Sequence, residues 1–118
     1  MKTHRQGRRA EQEALAFLLG RGLRLVESNY RCRAGEIDLI MQQGDTLVFV
    51  EVRMRVDRRF GGAAASVTPA KQRRLVSAAR HYLLVRGTPE GPLRFDVVAL
   101  EGGEAPHWIP NAFDTPPD

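Results

Sequence analysis

Two acidic residues stand in stretches of the chain that are otherwise apolar. Asp38 and Glu51 both lie within Gly35–Arg55, where two runs rich in Ile, Val, Leu and Phe flank the pair Gly44-Asp45. A Gly-X pair between two such runs is typical of a tight hairpin turn. If the turn has two residues, counting outward places Asp38 directly opposite Glu51 on neighbouring strands.

Opposed carboxylates repel each other, so this pairing needs an explanation. One explanation is a divalent cation, since Mg²⁺ takes oxygen ligands from one or two carboxylates together with water and substrate phosphate. The other is an ordinary solvent-facing acidic pair, or a Glu51 that is paired with an arginine. The pattern by itself leaves both open.

Side-chain alternation predicts which residues share a face of the first strand. It places Glu36 and Asp38 on the face of Ile40. The remaining apolar residues of the run are expected on the opposite face, and they are Ile37, Leu39 and Met41.

The elements that position these residues follow from the hydrophobic periodicity. We predict helices over 8–20 and 69–86, a first strand over 23–33, the hairpin over 35–55 and further strands over 93–100 and 107–109. Thr68-Pro69 is a helix start, with Thr as the cap and Pro at the first helical position. We expect one domain over 1–118, with flexible ends at 1–7 and 114–118 and a mobile loop over 55–67.

Composition narrows the class of protein. A formal net charge of +4 and a pI near 10.0 suit a polyanionic partner, although basicity alone assigns no activity. Of the basic residues 16 are Arg and only 2 are Lys. The lone cysteine, Cys32, allows no internal disulfide and suits a reducing cytoplasm. The sequence shows no signal-peptide pattern and no apolar run of membrane-spanning length.

The motifs Gly-Glu-Ile-Asp-Leu-Ile and Val-Phe-Val-Glu-Val-Arg-Met-Arg resemble the Asp…Glu-x-Lys motif of PD-(D/E)XK nucleases. The whole chain resembles the small bacterial YraN-like family, which is related to archaeal Holliday-junction resolvases. Further segments that carry the resemblance, in order along the chain, are Asn29-Tyr30-Arg31, Phe60-Gly61, Val67-Thr68-Pro69-Ala70-Lys71, Arg94-Phe95-Asp96-Val97-Val98 and Ile109-Pro110-Asn111-Ala112-Phe113. The resemblance implies an α/β, restriction-endonuclease-like core with a mixed central sheet flanked by helices.

The resemblance also implies a metal site. Asp38 and Glu51 would bind Mg²⁺ or Mn²⁺, with Glu36 or a glutamate of the first helix assisting. We assign that helix glutamate to Glu13, which lies beside the predicted buried stripe of the first helix, namely Ala10, Ala14, Phe17 and Leu18. A surface ion pair between Glu13 and Arg9 is the equally weighted alternative.

The position of the motif's lysine holds Arg53, whose guanidinium can bind a phosphate but cannot remove a proton. Lys71, the only lysine within the predicted fold, is our candidate to take over part of that role. A lysine that merely extends to solvent is the alternative. Predicted phosphate contacts come from five arginines, namely Arg31, Arg33, Arg55, Arg58 and Arg59.

We therefore expect a metal-dependent DNA endonuclease, with branched or recombining DNA as the substrate class that the resemblance implies. A second hypothesis is a catalytically weak or inactive DNA-binding module, or an interaction subunit in DNA processing. By the same resemblance we expect a homodimer.

Overall fold

A computed structural model describes residues 4–54, 62–100 and 105–114 of the chain. Its elements, in chain order, are α1 (His4–Gly20), β1 (Arg24–Cys32), β2 (Gly35–Gln43), β3 (Thr46–Met54), α2 (Gly62–Ser66), α3 (Pro69–Arg86), β4 (Leu93–Leu100) and β5 (His107–Ile109). The predicted order of helix, three strands, helix and strand is confirmed.

The five strands form one sheet in the order β1-β2-β3-β4-β5. Strands β3 and β4 are parallel, and every other neighbouring pair is antiparallel, so the sheet is mixed as predicted. A parallel pair needs a crossover connection, which α3 supplies between β3 and β4.

Each face of the sheet carries one long helix. On one face Ala10, Ala14 and Leu18 of α1 pack on sheet residues such as Met41 and Val50. On the other face α3 packs its buried residues on a second group from the sheet; the helix residues are Leu75, Val76, Ala78, Ala79 and Tyr82. This two-faced packing confirms the α/β class.

The start of α3 is as predicted. Thr68 caps the helix, because its Oγ1 accepts a hydrogen bond from the main-chain N–H of Lys71 at 3.3 Å. Pro69 occupies the first helical position, where its missing N–H leaves no donor unsatisfied. The cap fixes Lys71 in the first turn.

Two predicted boundaries are corrected. Helix α1 begins at His4, so residues 4–7 are helical although the polar sequence there gave no periodic signal. Part of the loop predicted over 55–67 is the helix α2, which contains three alanines, the residue with the highest helix propensity. Five residues are too few to show a helical period. The rest of that predicted loop, 55–61, lies outside the described residues.

Among the described residues, no helix is both long enough and apolar enough to cross a membrane.

The β2–β3 hairpin has the predicted turn, with Gln43 opposite Thr46 and a register that runs to Leu39 opposite Val50. The predicted face alternation of β2 is wrong in part. Ile37 belongs with Ile40 to the core under α3, whereas Leu39 belongs to the core under α1. The alternation therefore shifts between Ile37 and Ile40, and Asp38 lies at the shift.

Candidate metal centre

Three carboxylates from two elements converge at one end of the sheet. Glu11 comes from α1, and Glu36 and Asp38 come from β2. One carboxylate oxygen from each lies within 4.8 Å of the other two. The packing of α1 on the sheet brings these groups together, since Ala10 and Ala14 on either side of Glu11 are buried in that interface.

Asp38 is the buried member of this carboxylate cluster, with 5% of its surface exposed. Its Oδ2 accepts a hydrogen bond from the main-chain N–H of Val52 on β3 at 2.8 Å. This contact lies just beyond Leu39–Val50, where the described β2–β3 register ends. A main-chain donor thus fixes the orientation of the carboxylate at the point where the two strands stop pairing in the described register.

The backbone across from Asp38 is irregular. Strand β1 pairs Ser28 with Leu39 and Tyr30 with Ile37, so Asn29 is the residue opposite Asp38. Asn29 has a φ of 55°, in the left-handed region that asparagine tolerates better than most residues. Such conformations concentrate at functional sites, where the surrounding structure holds them in place.

Glu13, the predicted helix ligand, is not one of the three carboxylates. Glu13 is exposed, whereas Glu11 is half-buried. At ~100° per residue the two side chains project about 200° apart around α1. Sequence reasoning took Phe17 as part of the buried stripe, which favoured Glu13. The fully buried line is Ala10, Ala14 and Leu18, and Glu11 borders it three residues before Ala14.

Glu51 lies on β3 directly before Val52, whose N–H donates to Asp38. The side chain of Glu51 is half-buried and does not belong to the carboxylate cluster. Arg53, two residues further along, is also half-buried, and its Nε donates to Ser66 Oγ on α2 at 3.3 Å. Glu51 and Arg53 are thus the chain neighbours of Val52, whose N–H contacts the cluster member Asp38. The Arg53 side chain links β3 to α2.

The remaining predicted site residues, Lys71 and the arginines, do not belong to the carboxylate cluster. Lys71 is half-buried in the first turn of α3. Arg31 is exposed and pairs with Glu36, with its Nε 3.6 Å from Glu36 Oε2. Arg33 is exposed in the turn between β1 and β2. The predicted phosphate contacts at Arg55, Arg58 and Arg59 fall outside the described residues, so they stay predictions.

A second buried carboxylate, Asp96 on β4, was not singled out by sequence reasoning. It is 1% exposed, and Arg94 holds it with two hydrogen bonds, of 2.8 Å from Nε and 2.9 Å from Nη2. Trp108 Nε1 and the Asn111 main-chain N–H donate to it at 3.0 and 2.9 Å. Arg94 and Asp96 are two apart in a strand and so share a face, which was the available signal.

The donor set decides what kind of ion the carboxylate cluster fits. All three groups offer oxygen atoms, and no histidine or cysteine belongs to this cluster as the structure describes it. Oxygen-only sets suit hard cations such as Mg²⁺ and Mn²⁺, whereas zinc sites are usually built with nitrogen or sulfur ligands. The residues present therefore fit a hard divalent ion.

Comparison with known proteins identifies the family. The model of the family described as "Uncharacterised protein family UPF0102" matches residues 10–100. The chain belongs to the UPF0102 family. This is the YraN-like family to which the sequence motifs pointed, so that resemblance is confirmed.

Three UPF0102 relatives match over nearly their whole length. A UPF0102 protein of Nitrosomonas eutropha is 60% identical over 112 residues, which are 95% of this chain and 96% of the relative. One from Nitrosospira multiformis is 58% identical over 97% of each chain. One from Herminiimonas arsenicoxydans is 53% identical over 97% of this chain and 92% of the relative. These three relatives are therefore similar in length to this chain.

Proposed function

We propose that this UPF0102 protein is a metal-dependent nuclease that hydrolyses phosphodiester bonds in DNA, with branched or recombining DNA as its substrate class. The observation that carries the proposal is the carboxylate cluster of Glu11, Glu36 and Asp38, in which the buried Asp38 lies among other carboxylates. Like charges that close together are unfavourable unless a proton or a cation offsets them. The motif resemblance and the net charge of +4 support a nucleic acid as the polyanionic substrate.

The residues divide the work as follows. Glu11, Glu36 and Asp38 would hold Mg²⁺ or Mn²⁺, with Glu51 on β3 as the further ligand that the motif resemblance implies. When bound, such an ion polarises the scissile phosphate and lowers the pKa of an attacking water. The Val52 N–H keeps the Asp38 carboxylate in a fixed orientation. Arg53 would bind the phosphate and stabilise negative charge, but a guanidinium is not suited to act as the general base.

A second candidate is a DNA-binding protein that cleaves weakly or not at all. It is favoured by Arg53, which stands where the motif has lysine and whose Nε is engaged with Ser66. In this alternative the fold and the basic surface serve recognition alone. We also infer a cytoplasmic location, supported by the single half-buried cysteine, and a homodimer, supported by the family resemblance.

Cleavage of a labelled four-way DNA junction in Mg²⁺ or Mn²⁺ tests the proposal. Asp38→Asn keeps the shape and an oxygen that can accept from Val52, but removes the charge. We expect it to reduce metal-dependent cleavage by at least ~100-fold, which is about 2.7 kcal/mol of transition-state stabilisation. DNA binding in EDTA should stay the same or become tighter, because a negative charge near the phosphates is gone.

The matched control is Asp45→Asn, the same chemical change in the exposed β2–β3 turn. It should cleave like the wild type. Junction binding by the wild type without cleavage in either metal would favour the second candidate. Normal turnover by Asp38→Asn would overturn the site assignment.

A further inference from the structure

Helix α3 carries charges of one sign. Its sequence, PAKQRRLVSAARHYLLVR, has five basic residues and no acidic residue. Helices commonly place Glu or Asp three or four residues from Lys or Arg, which stabilises them by pairing. In α3 this option is absent, and Lys71 in the first turn opposes the helix dipole. The charge pattern therefore lowers the stability of the isolated helix, and negatively charged groups outside the helix would offset this effect.

At its carboxyl end α3 has such a partner within the chain. Arg86 donates to both oxygens of Glu27 on β1, at 3.1 and 3.2 Å. Near the other end, Arg73 and Arg74 are exposed. The two ends of the helix thus differ, since the last arginine is held by an internal ion pair and the earlier two face solvent.

The exposed end of α3 lies against the β1–β2 turn. A Cβ built on Gly35 would lie 3.5 Å from the main-chain oxygen of Arg74, so the two backbones are nearly in contact. Arg33, two residues before Gly35, is exposed in the same turn. We call Arg33, Arg73 and Arg74 the α3 basic surface.

This surface is next to the carboxylate cluster along the chain but lies on the other face of the sheet, because the cluster member Glu11 comes from α1. Gly35 lies against α3, and the next residue, Glu36, is a member of the cluster. A ligand that offers negative charge to the arginines and can also share a cation with the carboxylates suits both regions, provided that it is large enough to reach both faces of the sheet. A polymer of phosphodiesters has this chemistry, because its phosphates bind guanidiniums in pairs of hydrogen bonds and also bind hard metal ions.

We propose that the α3 basic surface binds the sugar–phosphate backbone of duplex DNA. The proposal rests on the proposed function in taking DNA as the polyanion. Exposed guanidiniums that contact phosphates fix the position of a duplex without reading its sequence. An anionic membrane fits less well, since membrane binding also uses large apolar side chains. Within the part of the chain that the structure describes, the exposed ones lie outside the β1–β2 turn and the first half of α3.

The test is binding of a fluorescent DNA duplex in EDTA as a function of salt, for the double variant Arg73→Gln/Arg74→Gln. Each lost phosphate contact reduces the slope of log affinity against log salt by ~0.9, so we expect a slope smaller by about 1.8. Affinity at low salt should fall at least tenfold, and equally for duplexes of unrelated sequence. Adding Arg33→Gln should reduce the slope again.

The control is Arg21→Gln/Arg24→Gln, which removes the same charge elsewhere. Arg24 pairs with Gln42, at the end of the β1–β2 ladder opposite Gly35. Because Arg21 lies over the Phe17 ring, thermal unfolding of both double variants verifies that they fold. The control should keep the wild-type slope.

Equal loss of slope in both double variants would reduce the effect to net charge and overturn the proposal. Binding of the wild type to phosphatidylglycerol vesicles but not to duplex DNA would overturn it as well. The assay contains no metal and involves no cleavage, so its outcome is independent of the nuclease test. If Asp38→Asn cleaves normally but Arg73→Gln/Arg74→Gln loses slope, the carboxylate assignment fails and the α3 basic surface stands.

Discussion

Asp38 and Asp96 are both buried aspartates in the same sheet, and their surroundings are opposite. Asp96 accepts two hydrogen bonds from the Arg94 guanidinium, one from Trp108 and one from the Asn111 main chain. Asp38 Oδ2 accepts a hydrogen bond from the Val52 main chain, and the carboxylates of Glu11 and Glu36 lie beside it. Arginine compensates the charge of Asp96 from within the chain. The acidic neighbours of Asp38 add negative charge beside it. On that difference we propose that Asp96 is structural and that Asp38 could hold a cation.

Replacing Asp96 by Asn should give the largest change in stability. The amide would leave Arg94 without its buried counter-charge and would turn an N–H₂ group toward other donors. Breaking a buried pair at one partner costs about 3–5 kcal/mol, which we expect in urea unfolding. Loss of less than ~1 kcal/mol would show that the Asp96 interactions contribute little, and would weaken the comparison.

The same substitution at Asp38 should act in the opposite direction. Without metal, Asp38→Asn removes like-charge repulsion and keeps an acceptor for Val52, so the free energy of unfolding should stay equal or rise. With Mn²⁺ at 100 times its dissociation constant, the wild type should gain about 2.7 kcal/mol, and the variant should lose most of that gain. A strong destabilisation of metal-free Asp38→Asn would instead make Asp38 a structural residue like Asp96.

Lys71 is our candidate for moving a proton in the cleavage step, and a substitution there tests that role. Its amine is the only lysine amine in the described ranges, and Arg53 cannot act as a base. Lys71→Met should lower the cleavage rate by ~10–100-fold, about 1.4–2.7 kcal/mol, with little change in DNA affinity. Arg53→Lys in the same chain should restore part of the rate. Unchanged turnover of Lys71→Met would leave Lys71 as a surface residue.

The sequence predicted the features that depend on short local motifs. The hairpin turn at Gly44-Asp45, the Thr68 cap and Asp38 itself all follow from local chemistry that tertiary packing did not alter. To predict Glu11, one must know which side of α1 faces the sheet. The sequence did not show that Leu18 is fully buried and Phe17 only half-buried. The alternation shift at Asp38 goes with the left-handed Asn29 on a neighbouring strand, and no period in β2 alone reveals it.

The structural role of Asp96 was not predicted, for a different reason. Its partners Trp108 and Asn111 belong to a later segment, which the strand pairing of β4 and β5 brings to it. A carboxylate in an apolar strand was visible in both cases. The sequence alone did not show that Arg94 compensates Asp96 or that Glu11 lies beside Asp38, because both contacts depend on the fold.

The most direct test of the central claim is a calorimetric titration of Mn²⁺ into the wild type, Glu11→Gln and Glu13→Gln. These two glutamates lie two residues apart on one helix, and the carboxylate cluster contains only Glu11. We predict one binding event in the wild type, an affinity at least ~10-fold lower, or 1.4 kcal/mol, in Glu11→Gln, and wild-type affinity in Glu13→Gln. No binding by the wild type, or a greater loss in Glu13→Gln than in Glu11→Gln, would contradict the account.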